Sequence, residues 1–467
     1  MSARAPRLSR RAVLAAALAG APAAAQGAPR RRPNIVFILA DDLGAFDLSC
    51  YGRPDYRTPN IDSLARDGLR FDSAYANSNT CTPTRVAIMS GRYPNRMEIG
   101  VVGPAPAADV GFPPETPNLA STLRAAGYAT GLIGKWNLGA LPRFSPNASG
   151  YDEFFGFTSG AIDYWTHDVG LRDGTRQPDL YENGRSAETP GYATDLFTDR
   201  AVDFIRRHRA TPFLLSLHYN APHWPWQTRS DAGPSRLNDV HFDGGSPAIY
   251  AEMVRVLDES VGRILQALDR HDLARDTLVI FTSDNGGERF SHMWPLRGAK
   301  GDLYEGGIRV PLLTRWPGQV ARGRRSGQVA LSMDWLPTFA EAAGVACDPG
   351  AAPDGVSLLP HLLGAPAAER TVFWWVGEDQ AALRYPWKLV RIGGREHLYN
   401  LEQDPTEHAN LKLAQPERLA ELRQALAAWS EGMRPGPPAA AAARRAQIEA
   451  LEALQSPWSG PATPPRP

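Results

Sequence analysis

Lysine is nearly absent from this chain. Only Lys135, Lys300, Lys388 and Lys412 stand against 46 arginines in 467 residues. Cysteine is rarer still, at three residues (Cys50, Cys81 and Cys347), which excludes a disulfide-built scaffold. Neither charge sign is in excess. Fifty basic and fifty acidic side chains cancel, which removes the electrostatic case for a nucleic-acid partner. No apolar run reaches the roughly 20 residues that a membrane span needs. A chain that almost always chooses Arg keeps Lys where a compact ammonium is wanted.

The N-terminus reads as an export signal over residues 1–25. Arg10 and Arg11 precede an apolar Ala/Leu/Val stretch, and Ala23-Ala24-Ala25 offers a small-residue cleavage site. Ser9-Arg10-Arg11 with Leu14 resembles a twin-arginine signal, an ordinary Sec signal being the alternative. The expectation is a bacterial protein passed to export machinery and active in the periplasm or outside the cell.

Four segments are apolar runs that stop abruptly at polar residues: NIVFILADDLG (34–44), YATGLIGKWNLG (128–139), PFLLSLHYNAPH (212–223) and TLVIFTSDNGG (277–287). Such runs suit strands buried on both faces of a parallel sheet. Helical patterns lie between them, in NIDSLARDGLRF, TPNLASTLRAAGY, ATDLFTDRAVDFIRRH and AIYAEMVRVLDESVGRILQALDRH. The expected fold is therefore an α/β sandwich, with a catalytic domain at 26–345. DGVSLLPHLLG, TVFWWVGED, ALRYPWKLVRI and REHLYNLEQDP read as short antiparallel strands, and QPERLAELRQALAAWSEGM as one helix. These make a smaller α+β subdomain at 346–434. The Ala/Pro-rich stretch 435–467 reads as a tail with one helix at ARRAQIEALEAL.

Ligands of open α/β sheets bind beyond the carboxyl ends of the strands, so these polar endings should converge. Asp41-Asp42 and Asp284-Asn285 are two matching pairs after two matching strands. Three carboxylates and an amide in one crevice repel one another unless a cation lies between them, and oxygen donors favour Ca²⁺ or Mg²⁺ over zinc. Cys81 precedes Thr82, a candidate N-cap, and Pro83, suited to the first helical position, in a helix expected to end at Gly91. A helix N-terminus attracts an anion, and Arg85 lies one turn in. A thiolate is a poor partner for calcium, however.

Cys81-Thr82-Pro83-Thr84-Arg85, followed by Ser90-Gly91-Arg92, resembles the signature of the formylglycine-dependent sulfatases of the alkaline phosphatase-like superfamily. The resemblance extends through DDLG (41–44), GKWNLG (134–139), GYDEFFGF (150–157), NAPH (220–223), SDNGG (283–287), LYEGGIRVP (303–311) and LYNLEQDPTEHANL (398–411). It implies a mixed, mostly parallel sheet between helices and a sulfuric ester hydrolase acting on an aryl or carbohydrate sulfate. A maturation enzyme would oxidise Cys81 to formylglycine, whose hydrate is the nucleophile. Oxygen then replaces sulfur beside the metal, which removes the difficulty with calcium. Asp41, Asp42, Asp284, Asn285 and residue 81 match the family's calcium ligands, with Mg²⁺ the less favoured ion. Arg85 matches the residue that orients the hydrate. Lys135 and Lys300 match those that neutralise the sulfate oxygens, and His223 matches the partner of Lys300 at the leaving group.

Two positions depart from the family pattern. Asn137 stands where histidine is usual, and asparagine cannot take a proton. Thr84 stands where serine is commoner. Ser159, Asp163, Trp224 and Trp294 lie near these motifs in sequence and are candidate substrate contacts, although buried aromatics more often simply pack. Two other readings belong beside the sulfatase one. A phosphate or phosphonate ester hydrolase of the same superfamily is one, although the several histidines that a two-zinc site would place on strand ends are missing. A catalytically weak homologue that binds sulfated glycans is the other. Cys50 and Cys347 could pair or stay as small hydrophobes.

Overall fold

The computed structural model describes residues 32–105, 108–170, 175–235 and 244–436. The export signal and the expected tail helix at 443–454 lie outside them. Every residue of β1 (Asn34–Ala40) is buried, as a strand covered on two faces should be. Alternation divides its side chains between two cores. Ile35, Phe37 and Leu39 enter one, and Val36, Ile38 and Ala40 enter the other.

The sheet built around β1 has ten strands. In chain order the others are β2 (Leu69–Phe71), β3 (Ala129–Lys135), β4 (Glu153–Phe157), β5 (Tyr181–Glu182), β6 (Arg185–Ser186), β7 (Phe213–His218), β8 (Thr277–Ser283), β9 (Leu312–Arg315) and β10 (Arg324–Ser326). Their order across the sheet is β10-β2-β9-β8-β1-β7-β3-β4-β5-β6. The central five, β8, β1, β7, β3 and β4, are parallel, while β9, β5 and β6 bring antiparallel pairings toward the edges.

Helices cover both faces. α1 (Pro59–Arg66), α4 (Ala193–Arg207) and α5 (Pro247–Arg270) bury Leu64, Phe197, Phe204, Leu257 and Val261 in one core. α2 (Cys81–Ser90), α3 (Leu119–Ala125) and α6 (Trp335–Ala342) bury Val86, Met89, Leu123, Trp335 and Phe339 in the other. This is the α/β sandwich expected from the alternating patterns.

A second sheet follows, of four antiparallel strands: β11 (Val372–Val376), β12 (Asp379–Arg384), β13 (Trp387–Ile392) and β14 (Arg395–Asn400). One face packs Ala382, Leu389 and Leu398 against Leu419, Leu422 and Leu426 of α7 (Pro416–Ser430). The other packs Trp374, Leu383, Val390 and Tyr399 against Tyr75, Leu303 and Ile308 of the large-sheet part.

Three expectations need correction. The helical pattern written through residue 71 ends at Arg66, and Leu69–Phe71 is a strand paired with β9 and β10, reached through Gly68, where a Cβ would lie 2.0 Å from the Thr314 carbonyl oxygen. DGVSLLPHLLG is not a strand. Its core is the short helix Leu359–Leu362, in which Pro360 occupies an early position that needs no N–H donor. Helix α2 begins at Cys81 rather than after Thr82. Thr80 is the extended N-cap, and Pro83 falls within the first turn, where its missing N–H costs nothing.

Candidate active site

The register of the parallel strands brings their carboxyl ends to one line. Ala40 pairs with Ser283, Leu39 with His218, His218 with Gly134, and Gly134 with Gly156. The residues just beyond that line are Asp41, Asp42, Asp284, Asn285, Lys135 and Asn137. All are buried. Asp42 and Asn137 adopt left-handed backbone, with φ of 65° and 55°, which Asp and Asn tolerate better than most residues. Gly134 is required where it stands. A Cβ there would lie 1.9 Å from the His218 carbonyl oxygen.

Helix α2 approaches the same line with its N-terminus and ends, as expected, on left-handed Gly91. Cys81 is half-buried at its first turn. The Asn137 amide donates to Cys81 Sγ at 3.1 Å. One turn later Arg85 is 1% exposed and directs its fork at Asp284, with Nε 3.0 Å and Nη2 2.8 Å from Oδ2. Its Nη1 donates to the Lys135 carbonyl at 2.9 Å.

The two site lysines each face one carboxylate. Lys135 Nζ is 2.6 Å from Asp41 Oδ2, and Lys300 Nζ is 2.7 Å from Asp42 Oδ2. Burial pushes the Asp41 carboxyl up to about 8, helped by the Asp284 carboxylate and opposed by Lys135. Asp42 goes the other way. Burial would raise it, but Lys300, His223 and Lys135 hold it below the usual carboxylate range. His223 donates from Nδ1 to the Trp224 carbonyl at 2.6 Å, so Nε2 presents its lone pair to Lys300 Nζ at 3.2 Å. Burial, with Lys300 and Lys135 adding to it, holds this imidazole well below its ordinary range and therefore neutral.

Do these residues fit a metal ion? Asp41 Oδ1 and Asn285 Oδ1 are buried oxygens that meet no hydrogen-bond donor among the described residues. Asp41, Asp42 and His223 also bring one ligand atom each to within 4.8 Å of one another. Since Nε2 of His223 already faces an ammonium, the oxygens are the better donors. A set of carboxylate and amide oxygens with two of them unsatisfied fits a hard divalent cation.

Above Cys81 opens a cavity of about 320 Å³, lined by Cys81, Gly160–Asp163, Asp168–Gly170, His223–Pro225 and Lys300. Trp224 is in this wall. Asp163 is too, but its carboxylate accepts the N–H groups of Trp165, Thr166 and Ser235 at 2.9, 2.9 and 2.6 Å. Although burial opposes them, those donors keep it below the usual carboxylate range and tie the turn together. Ser159 spends its hydroxyl on the Ala161 carbonyl at 2.8 Å. Trp294 is 75% exposed and absent from the cavity wall. All three cysteines are free, so Cys50 and Cys347 do not pair.

Sequence reasoning passed over His218. It is buried at the end of β7, with Nδ1 3.3 Å from the Lys135 carbonyl and 3.5 Å from Arg85 Nη1, directly beneath the site. Its position in an apolar strand that ends on the common line was the available signal.

Comparison with known proteins gives a consistent result. The Sulfatase family model matches residues 33–345, and the N-sulphoglucosamine sulphohydrolase C-terminal model matches 299–431. Human arylsulfatase A is 35% identical over 466 residues, covering 84% of this chain and 87% of that protein. The N-acetylgalactosamine-6-sulfatase of Canis lupus familiaris is 33% identical over 390 residues, covering 78% and 72%. Among solved structures, Ps i-CgsB in complex with k-i-k-neocarrahexaose superposes with a TM-score of 0.79 at 28% identity, covering 91% of this chain and 98% of that one. The phosphonate monoester hydrolase of Agrobacterium radiobacter, at 22% identity and a TM-score of 0.59, shares the fold.

Proposed function

The chain belongs to the sulfatase family, a sulfuric ester hydrolase, and from that premise we propose that position 81 is its nucleophile, with Cys81 oxidised to formylglycine. The observation that carries this reading is the shared cavity. Cys81 opens into the same 320 Å³ space as His223 and Lys300, and an amide donor at 3.1 Å is already aimed at its side-chain acceptor. Calcium is the proposed ion, held by Asp41, Asp42, Asp284, Asn285 and position 81. When bound it supplies positive charge to the transferring sulfate.

The chain's own residues do the rest. Lys300 brings an ammonium to the cavity wall and Lys135 holds a second one behind it on Asp41, where both stabilise negative charge that grows during reaction. Lys300 beside neutral His223 can hand a proton to the departing alcohol, because the ammonium lies 3.2 Å from the imidazole lone pair. Arg85 clamps Asp284 and so fixes one wall. Asn137 orients position 81 but takes no proton from it. The cavity has room for one ring system, and Ile162, Val169, Trp224 and Pro225 give it an apolar wall, which suits an aryl group or a single sugar ring. We also place the mature protein outside the cytoplasm, and divide it into a catalytic part at 26–345 and a C-terminal subdomain at 346–434.

Two measurements test the reading. Mass spectrometry of the tryptic peptide Phe71–Arg85 reports the chemical state of residue 81. Turnover of an aryl sulfate beside an aryl phosphate and an aryl phosphonate reports the reaction. The expected result is an aldehyde-bearing peptide, sulfate release, and loss of it in Cys81→Ala. An unmodified thiol in a protein that still releases sulfate would overturn the role of position 81. Preference for the phosphonate would favour the other branch of the fold.

A further inference from the structure

Three of the motifs quoted above have no part in the reaction as described: the Glu305 turn of LYEGGIRVP, the Lys388 strand, and the Glu407 segment of LYNLEQDPTEHANL. The structure joins them. Lys388, on β13, is fully buried, with Nζ 2.9 Å from Glu305 Oε1 and 2.8 Å from Glu407 Oε1. Glu407 Oε2 accepts the Glu305 N–H at 2.6 Å, and Glu305 Oε2 accepts the Tyr75 hydroxyl at 3.0 Å. Arg309 lies 3.7 Å from the same oxygen. Lys388, one of the four lysines, is thus a point charge on the small sheet sealed between Glu305, at the start of the short helix Glu305–Ile308, and Glu407, in the loop after β14.

The segment it grips is the one that delivers Lys300. Arg297 donates to the Glu407 carbonyl at 3.1 Å and lies 3.9 Å from the centre of the Tyr304 ring. Gly306 N–H donates to the Arg297 carbonyl at 2.7 Å, closing residues 297–306 into a loop. At the other side the Gly307 carbonyl accepts from Gly286, next to Asn285, at 2.9 Å, and the Lys300 N–H bonds the Gly287 carbonyl at 2.9 Å. The loop therefore has two anchors, the site itself and the small sheet.

We propose that Lys388 and Glu407 are positioning residues for Lys300: the small sheet holds the 297–308 loop through the buried Lys388–Glu305–Glu407 cluster, and so sets where the Lys300 ammonium stands over Asp42 and His223. This rests on Lys300 acting at the leaving group. A cluster of this kind is a poor source of stability, since desolvating buried ionisable groups costs about what their attraction returns. It is a good source of register, because a misplaced loop would strand an unpaired charge in the core. A shift of about 1 Å in a catalytic group costs on the order of 10²-fold in rate.

The test uses the full-length matured enzyme with Lys388→Met, Lys300→Met and the double variant. Each is assayed with para-nitrophenyl sulfate well below its melting midpoint and by hydrogen exchange over residues 297–308. Lys388→Met should lower kcat about tenfold or more with a smaller change in KM, and should speed exchange in the loop. It should add nothing to the loss already made by Lys300→Met. A folded Lys388→Met with native kcat and native loop protection, or with a loss that adds in full to that of Lys300→Met, overturns the proposal. If Lys388→Met does not fold, Glu407→Gln is judged by the same outcomes. If native enzyme hydrolyses no sulfate ester, the proposed reaction is what fails, and unchanged loop protection in the variants then rejects the positioning role separately.

Discussion

Replacing Glu407 by glutamine should flatten one part of the protein's stability against pH. Burial pushes the Glu407 carboxyl from 4.5 up to about 7, with the Lys388 ammonium pulling down and the Glu305 carboxylate adding to the rise. The folded protein therefore binds this proton more tightly than the unfolded chain does. The stabilisation it brings is complete below about pH 4.5 and is lost as pH climbs through about 7. A rise of that size is worth about 3 kcal/mol. Glu407 is 0% exposed, so solvent screening removes little of it. Native protein and Glu407→Gln would be unfolded in urea at several pH values between about 4.5 and 7.5. Titrating groups outside the Lys388–Glu305–Glu407 cluster, Asp41 among them, cancel in the difference between the two. The native advantage over the variant should shrink by about 3 kcal/mol from the acid to the neutral end, at unchanged m. A difference that stays constant across the range would refute the assignment of the buried proton to Glu407.

Lys300→Met should lower kcat by about 10²- to 10³-fold with a smaller effect on KM, as expected for a charge that matters chiefly in the transition state. An unchanged kcat would take Lys300 out of the reaction. Stripping divalent ions should lower the melting midpoint, and adding Ca²⁺ at about 100 times its Kd should return about 2.7 kcal/mol. Asp41→Ala should not respond to calcium, and an equal response in that variant would move the ion elsewhere. Asn137→His places an imidazole against position 81 at a left-handed backbone position that histidine tolerates. The variant should gain kcat and acquire a new dependence near pH ~6.5. A native rate and profile would show that proton removal never passes through residue 137.

Much of the fold was open to reading because buried parallel strands write themselves plainly. Each of the four apolar runs is a strand of the sheet, and the polar pairs after two of them, Asp41-Asp42 and Asp284-Asn285, do meet. What could not be read has a common cause. Leu69–Phe71 is too short to show a period, and its neighbour β9 lies far along the chain. Asp163 lines the cavity, but that its carboxylate also accepts the N–H of Ser235, 72 residues on, could not be read locally. Lys388 and Glu305 are 83 residues apart, and Glu305 and Glu407 are 102 apart, so no local pattern announced their cluster. His218 was hidden differently. Within an apolar strand, one buried imidazole occupies the same alternation as a leucine, and only the register across β7 and β3 shows what it touches.

The burial of helix α2 bears on how the protein comes to exist in working form. Thr84 is 0% exposed and Arg85 1%. An enzyme that must grip the side chains around Cys81 can do so only while the nascent polypeptide is still open. On the proposed role of residue 81, a molecule that folds with its sulfhydryl intact would miss that opportunity and stay inert. The specific activity of any preparation would accordingly measure who won that race, and batches made at different expression speeds should differ in yield of competent molecules while sharing a single turnover number.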